Sequence, residues 1–328
     1  MSCLTIRFNG LDILRALCVF AVVWIHGCDT SSVALRFSGF ARFAVPSFIL
    51  MSFFLFQLSV LNSPQQSIRT TLIRRLSRLL PPYLFWSLAY LAVRQLKHSV
   101  QGSPLVLEEW FLALWTGGAS YQLYFVAAMV YWTLFFIPLF YLGRQRNAMS
   151  SFLLLVFGGV LLWAGAWMRS RVESTPGIFL WPQMLGLTGY VPLAMAFSRL
   201  WFSYGKSAAN SIWLRRTGYL SGILALGWMV ARIPAGRVLV PSLGLFAWGL
   251  LSRPKQVSFV VNSISQLSYG IFLVHGFFVE GFQMLAIRMD WPLNQFPLTL
   301  SVILLSFVCS YLLCDLIFRV RKLRWLVT

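Results

Sequence analysis

Apolar residues in this chain come in runs of about twenty, separated by short stretches where arginine, lysine, glycine and proline collect. A helix needs about twenty apolar residues to cross the hydrocarbon layer of a bilayer, so each run reads as a membrane-crossing helix. The pattern predicts about ten of them, roughly over 11–28, 43–61, 79–96, 123–142, 151–168, 178–198, 217–233, 236–252, 264–285 and 297–318. The expected fold is all-α, a polytopic membrane helix bundle of about ten transmembrane helices. No repeat or low-complexity segment divides it, so residues 1–328 read as a single transmembrane domain.

Composition agrees: 59% of the residues are hydrophobic and only 11% charged, which excludes an ordinary soluble domain. The net charge of +19 raises nucleic acid as a partner, but the basic residues sit in short clusters between apolar runs. Such clusters are the signature of the positive-inside rule, and no nucleic-acid partner is expected. With both termini in the cytoplasm, about seventeen basic residues fall inside and about nine outside, which gives an N-in, C-in orientation. The first run carries charge within it and lacks a small-residue cleavage pattern, so it reads as a retained span and not a signal peptide. The five cysteines form no ligand or disulfide framework; they read as small buried hydrophobes, and no metal is expected.

The first span, Asn9 to His26, carries Asp12 and Arg15 near one end and His26 at the other. Eleven residues separate Arg15 from His26, which returns to nearly the same helix face with roughly 16 Å between them. Ionisable groups in an apolar span are costly, so this face is the first candidate for function. A neutral His26 suits a general base. Asp29, three residues further on, is placed to orient the imidazole.

Three other stretches carry candidate chemistry. The entrance to the third span, Arg69 to Tyr83, is a basic amphipathic stretch ending in Pro81-Pro82, which suit the first turn of a helix. Arg75 and Arg78, three apart, share a helix face on which guanidinium forks can hold a phosphorylated ligand, while topogenic arginines touching lipid phosphates are the plainer reading. The longest polar connection, about 97–122 on the outer side, holds Trp110, suited to stacking on a sugar ring or to the interfacial aromatic belt. The ninth span places His275 mid-membrane and Glu280 near its outer end, both candidates for contact with substrate.

Together, Asp12-x-x-Arg15 with His26, Val45-Pro46-x-Phe48-x-x-x-Ser52, Arg75-x-x-Arg78 with Pro82-Tyr83, and Ser268-Tyr269-Gly270-Ile271-Phe272-Leu273-Val274-His275 resemble the acyltransferase 3 family of integral membrane acyltransferases. The chain departs from that family's pattern at Phe53, where glycine is frequent, and at Gln122-Leu123-Tyr124-Phe125, where an aromatic motif with histidine or tryptophan is frequent. The resemblance implies transfer of an acyl group, usually acetyl from acetyl-coenzyme A, onto a hydroxyl of an extracytoplasmic carbohydrate at the bacterial inner membrane. It implies that Arg15 and His26 are functional, with Arg75 and Arg78 implicated beside them. Expected partners are a glycan or lipid-linked sugar acceptor and membrane lipid.

Coenzyme A would then dock its phosphates on Arg15, Arg75 and Arg78 and thread its pantetheine arm toward His26, which acts as base or as acyl carrier. A reading from another class is a transporter or flippase whose intramembrane charges line a path for a lipid-linked sugar. No pair of matched, Gly/Pro-broken halves is visible in support of it. A structural membrane subunit would leave the intramembrane charges without purpose.

Overall fold

The computed structural model describes residues 8–28, 38–63, 65–100, 106–142, 148–171, 184–205, 212–231, 238–252, 254–293 and 295–328. Among the described residues every regular element is helical. In chain order these are α1 (Asn9–Gly27), α2 (Ala44–Asn62), α3 (Ile68–Val100), α4 (Leu107–Thr116), α5 (Tyr124–Phe135), α6 (Ile137–Leu142), α7 (Ala148–Arg171), α8 (Tyr190–Leu200), α9 (Ile212–Val230), α10 (Leu239–Leu251), α11 (Phe259–Arg288) and α12 (Phe296–Arg319). Among the described residues five segments are long and apolar enough to cross a membrane: Asn9–Gly27, Ser38–Asn62, Met149–Met168, Phe259–Arg288 and Phe296–Arg319.

The boundaries differ from the hydropathy pattern where local chemistry overrides it. The fourth predicted span is two helices with a break at Phe136, because Pro138 lacks the N–H that would continue the ladder. The sixth is interrupted: Met184 and Leu185 are helical, turns follow from Gly186 to Gly189, and α8 resumes from Tyr190 to Leu200, while residues 172–183 lie outside those described. Pro81 and Pro82 do not open a helix: α3 runs without a break from Ile68 to Val100 and carries both inside it. Ile68, Leu72, Tyr83, Trp86 and Tyr90 are buried at helical spacing on either side of the prolines, so packing of one continuous face outweighs the lost hydrogen bonds. The polar connection before the fourth span contains α4, whose Glu109 carboxylate accepts from the Val106 N–H at 3.2 Å and whose end turns at Gly117 with φ of 78°.

The chain divides into two compact units, residues 1–51 with 205–315 and residues 52–204 with 316–328. In the first, α1 packs on α10 and α11. α9 and α10 run antiparallel, since Gly218 meets Leu251 and Ser252 while Gly244 meets Ser221 and Ala225. The end of α10 meets the start of α1, where a Cβ at Gly10 would stand 2.2 Å from the Gly249 carbonyl oxygen. Asn9 Nδ2 ties the same corner by donating to the Pro254 carbonyl at 2.9 Å. α12 is antiparallel to α1, with Gly27 against Ile303 and Phe20 against Phe307.

In the second unit, α7 and α8 pack through glycines: a Cβ at Gly189 would lie 2.4 Å from the Gly158 carbonyl oxygen. Trp86 Nε1 donates to the Leu326 carbonyl at 2.9 Å, fixing the C-terminal 3-10 turn (Arg324–Leu326) on α3. Tyr83 donates to the Leu114 carbonyl at 2.5 Å and holds α4.

Small residues matter here because helices in lipid associate through close backbone approach. Gly10→Val is therefore expected to force α1 from α10 and destabilise the protein by about 1–3 kcal/mol, read as a lower thermal midpoint in detergent. Gly159→Val, at a glycine with open space around it, is the control and leaves the midpoint in place.

Candidate active site

The first unit gathers charge and imidazole along one helix pair. Near the start of α1, Arg15 Nη1 lies 3.4 Å from Asp12 Oδ1. Ser265 of α11 completes the cluster: its hydroxyl donates to the same Asp12 oxygen at 2.9 Å and accepts from Arg15 Nη1 at 3.3 Å. Both charged side chains keep partial access, 26% for Arg15 and 16% for Asp12, so Arg15 retains donors for a ligand while its charge is balanced. At the other end of the pair, the His26 and His275 rings lie 5.4 Å apart, inclined at 33°. His26 is half-buried and His275 fully buried.

These two levels fix the relation of the helices. Arg15 meets Ser265 and His26 meets His275, so α1 and α11 run parallel with nearly equal spacing between their polar positions. The buried face of α11, Ser265, Ser268, Ile271, Phe272, His275 and Val279, has the three-to-four periodicity that keeps both polar residues toward α1. Ser258 caps this helix by accepting from the Val261 N–H at 3.3 Å.

The second unit holds the arginine pair. Arg75 lies between the rings of Phe53 and Phe56, its guanidinium carbon 4.4 and 4.8 Å from their centres. It donates to Thr133 Oγ1 at 2.9 Å, to Ser52 Oγ at 2.9 Å and to the Ser52 carbonyl at 3.3 Å, joining α2, α3 and α5. Arg78 is exposed. Helical spacing separates them: Arg75 falls on the buried stripe of α3 with Leu72 and Tyr83, and Arg78 falls beside it. Trp110 is half-buried on α4, amid exposed Leu107, Phe111 and Leu112. Glu280 is exposed toward the far end of α11. Asp29 lies outside the described residues.

A family model described as an acyltransferase domain, that of acyltransferase 3, matches residues 8–315, nearly the whole chain. The chain belongs to the acyltransferase 3 family. It is accordingly a membrane acyltransferase. No curated protein and no solved structure matches it.

Within this acyltransferase 3 chain, the departure at Phe53 has a physical consequence. Where glycine is frequent in the family, the Phe53 ring covers one side of Arg75 and stacks on Phe140 at 6.3 Å. Ser265 and Thr133, which complete the two arginine environments, carry no sequence signal beyond a hydroxyl on a buried helix face. The signal for Arg75 was available, since it continues the apolar stripe of its helix. Arg199 is a further buried arginine, 4% exposed, that donates to Ser150. Among the described residues no group of histidine, cysteine, aspartate and glutamate could hold a metal ion. The four described cysteines are free thiols, and Cys18, Cys28 and Cys314 are buried.

The Arg75 environment predicts a contrast. A lysine keeps the charge but cannot reach Ser52 and Thr133 at once or stack flat between two rings. Arg75→Lys is expected to cost about 1–3 kcal/mol of stability, seen as a lower thermal midpoint in detergent, while Arg78→Lys leaves the midpoint unchanged.

Proposed function

We propose that this protein is an O-acetyltransferase of the bacterial inner membrane, moving an acetyl group from cytoplasmic acetyl-coenzyme A to a hydroxyl of a periplasmic or cell-surface carbohydrate. The observation that carries the proposal is a half-buried imidazole, His26, on the same helix as a charge-balanced arginine, Arg15, in an acyltransferase 3 chain. Ten spans with both termini inside complete the reading. It is supported by the parallel course of α1 and α11, the first and ninth of those spans, and by the antiparallel course of α12, the tenth. Arg215, Arg216 and Lys255 lie at the end of the unit where α1 begins, as the positive-inside rule asks of a cytoplasmic face.

In this reading Arg15 faces the donor side and holds the coenzyme's phosphates. His26 is the base. It takes the proton of the acceptor hydroxyl as the oxygen attacks the thioester carbonyl, and returns it to the sulfur as the carbon–sulfur bond breaks. Glu280, exposed on the same unit as His26, is proposed for the sugar. A transporter or flippase does no covalent chemistry, and the family match speaks against it.

Purified protein given acetyl-coenzyme A and surface glycan is expected to release free thiol and label the glycan. His26→Ala is expected to lower the rate about 10²–10⁴-fold, and Arg15→Ala to raise the KM for acetyl-coenzyme A. Full activity in both variants at normal abundance overturns the proposal.

A further inference from the structure

His275 is a titratable group packed directly against His26, and its part in the reaction is open. Its ring is held by its own helix. Nδ1 lies 2.8 Å from the Phe272 carbonyl oxygen and 3.3 Å from that of Ile271. Carbonyl oxygens only accept, so Nδ1 carries the hydrogen and donates to both. The neutral ring is thereby fixed in one tautomer, and its lone pair sits on Nε2. Phe272 also flanks the ring at 5.9 Å, and Phe48 packs on Phe272 at 6.4 Å, so the imidazole is walled on its own side by aromatics.

Burial separates the roles of the two histidines. His26 keeps partial access, while His275 has 0% exposure and stands behind it. A fully buried ring pinned to its own backbone is poorly placed to meet a sugar and well placed to orient a neighbour. An imidazole nitrogen lies about 1.2 Å from its ring centre, so rings 5.4 Å apart leave two nitrogens within about 3 Å of each other when both point along the line between the ring centres, an approach that the broad terminal torsion of His26 serves on its side.

The geometry points to His275 as the positioning residue for the catalytic base: its Nε2 accepts the N–H of His26 in the reacting complex, turning the other His26 nitrogen, with its lone pair, toward the acceptor hydroxyl. This inference rests on His26 being the base. A neutral imidazole here does what a carboxylate does behind other catalytic histidines, without adding a charge to an apolar span. His275 forms no bond to the acyl group. The hydroxyl proton goes to His26 and then to the departing thiolate, and the hydrogen on His275 Nδ1 stays on its carbonyls throughout.

The test compares three replacements of His275 by steady-state acetyl transfer in purified protein. His275→Phe keeps a flat ring and removes the acceptor, so kcat is expected to fall about ten- to a hundredfold with the KM for acetyl-coenzyme A within twofold of wild type. His275→Gln places its amide oxygen where Nε2 stood and is expected to recover much of that loss; His275→Asn, whose amide falls at the Nδ1 position, is not. Wild-type kcat in His275→Phe, or a loss confined to KM, overturns the inference. Should the phenylalanine variant fail to fold, asparagine retaining as much activity as glutamine overturns it equally. Activity in His26→Ala, by contrast, removes the base itself and with it the reading on which His275 depends, so the two failures are told apart.

Discussion

The arrangement depends on one polar contact made inside an apolar unit, the hydrogen-bonded ion pair in which Ser265 of α11 bridges Asp12 and Arg15 of α1. Without a counter-charge, Arg15 would cost several kcal/mol at this position in a bilayer; with Asp12 and Ser265 in place it is held, and its remaining donors are oriented. The same contact sets the register of α1 against α11. Once Arg15 meets Ser265 on parallel helices, the helical rise carries His26 and His275 to the same level, eleven and ten residues further on respectively. A cation and an imidazole are thus fixed about 16 Å apart on one rigid pair of elements.

Packing around this pair explains why the register holds. Gly10 against Gly249 brings α10 into backbone contact with α1, and Gly27 makes room for the Ile303 side chain of α12 at the opposite end. In lipid, where apolar burial gives little driving force between helices, close backbone approach and interhelical hydrogen bonds carry the association. The second unit uses glycines between α7 and α8 and adds another device. There a single guanidinium, that of Arg75, gathers α2, α3 and α5 through two hydroxyls, one carbonyl and two aromatic faces.

Much of this was legible in the sequence. Runs of apolar residues gave the helices, and the eleven-residue interval between Arg15 and His26 placed both on one face. The family followed from short motifs in the right order and is borne out by the match over residues 8–315. What was not legible follows from contacts distant along the chain. Ser265 is one serine among several in its helix, and only its position opposite Asp12 distinguishes it. Pro81 and Pro82 carry the strongest local stop signal in the chain, yet the buried stripe from Ile68 to Tyr90 overrides it. The split at Phe136 went the other way, a local proline effect inside a run that hydropathy alone joins.

The central claim is that α1 and α11 lie side by side, parallel and in register, and paired-cysteine cross-linking in native membranes tests it most directly. Asp12→Cys with Ser265→Cys, and His26→Cys with His275→Cys, are each expected to form a disulfide on mild oxidation, identified by mass spectrometry of the joined peptides. The crossed pairs, position 12 with 275 and position 26 with 265, are expected to give none. Cross-linking of the crossed pairs in preference to the matched ones would contradict the account.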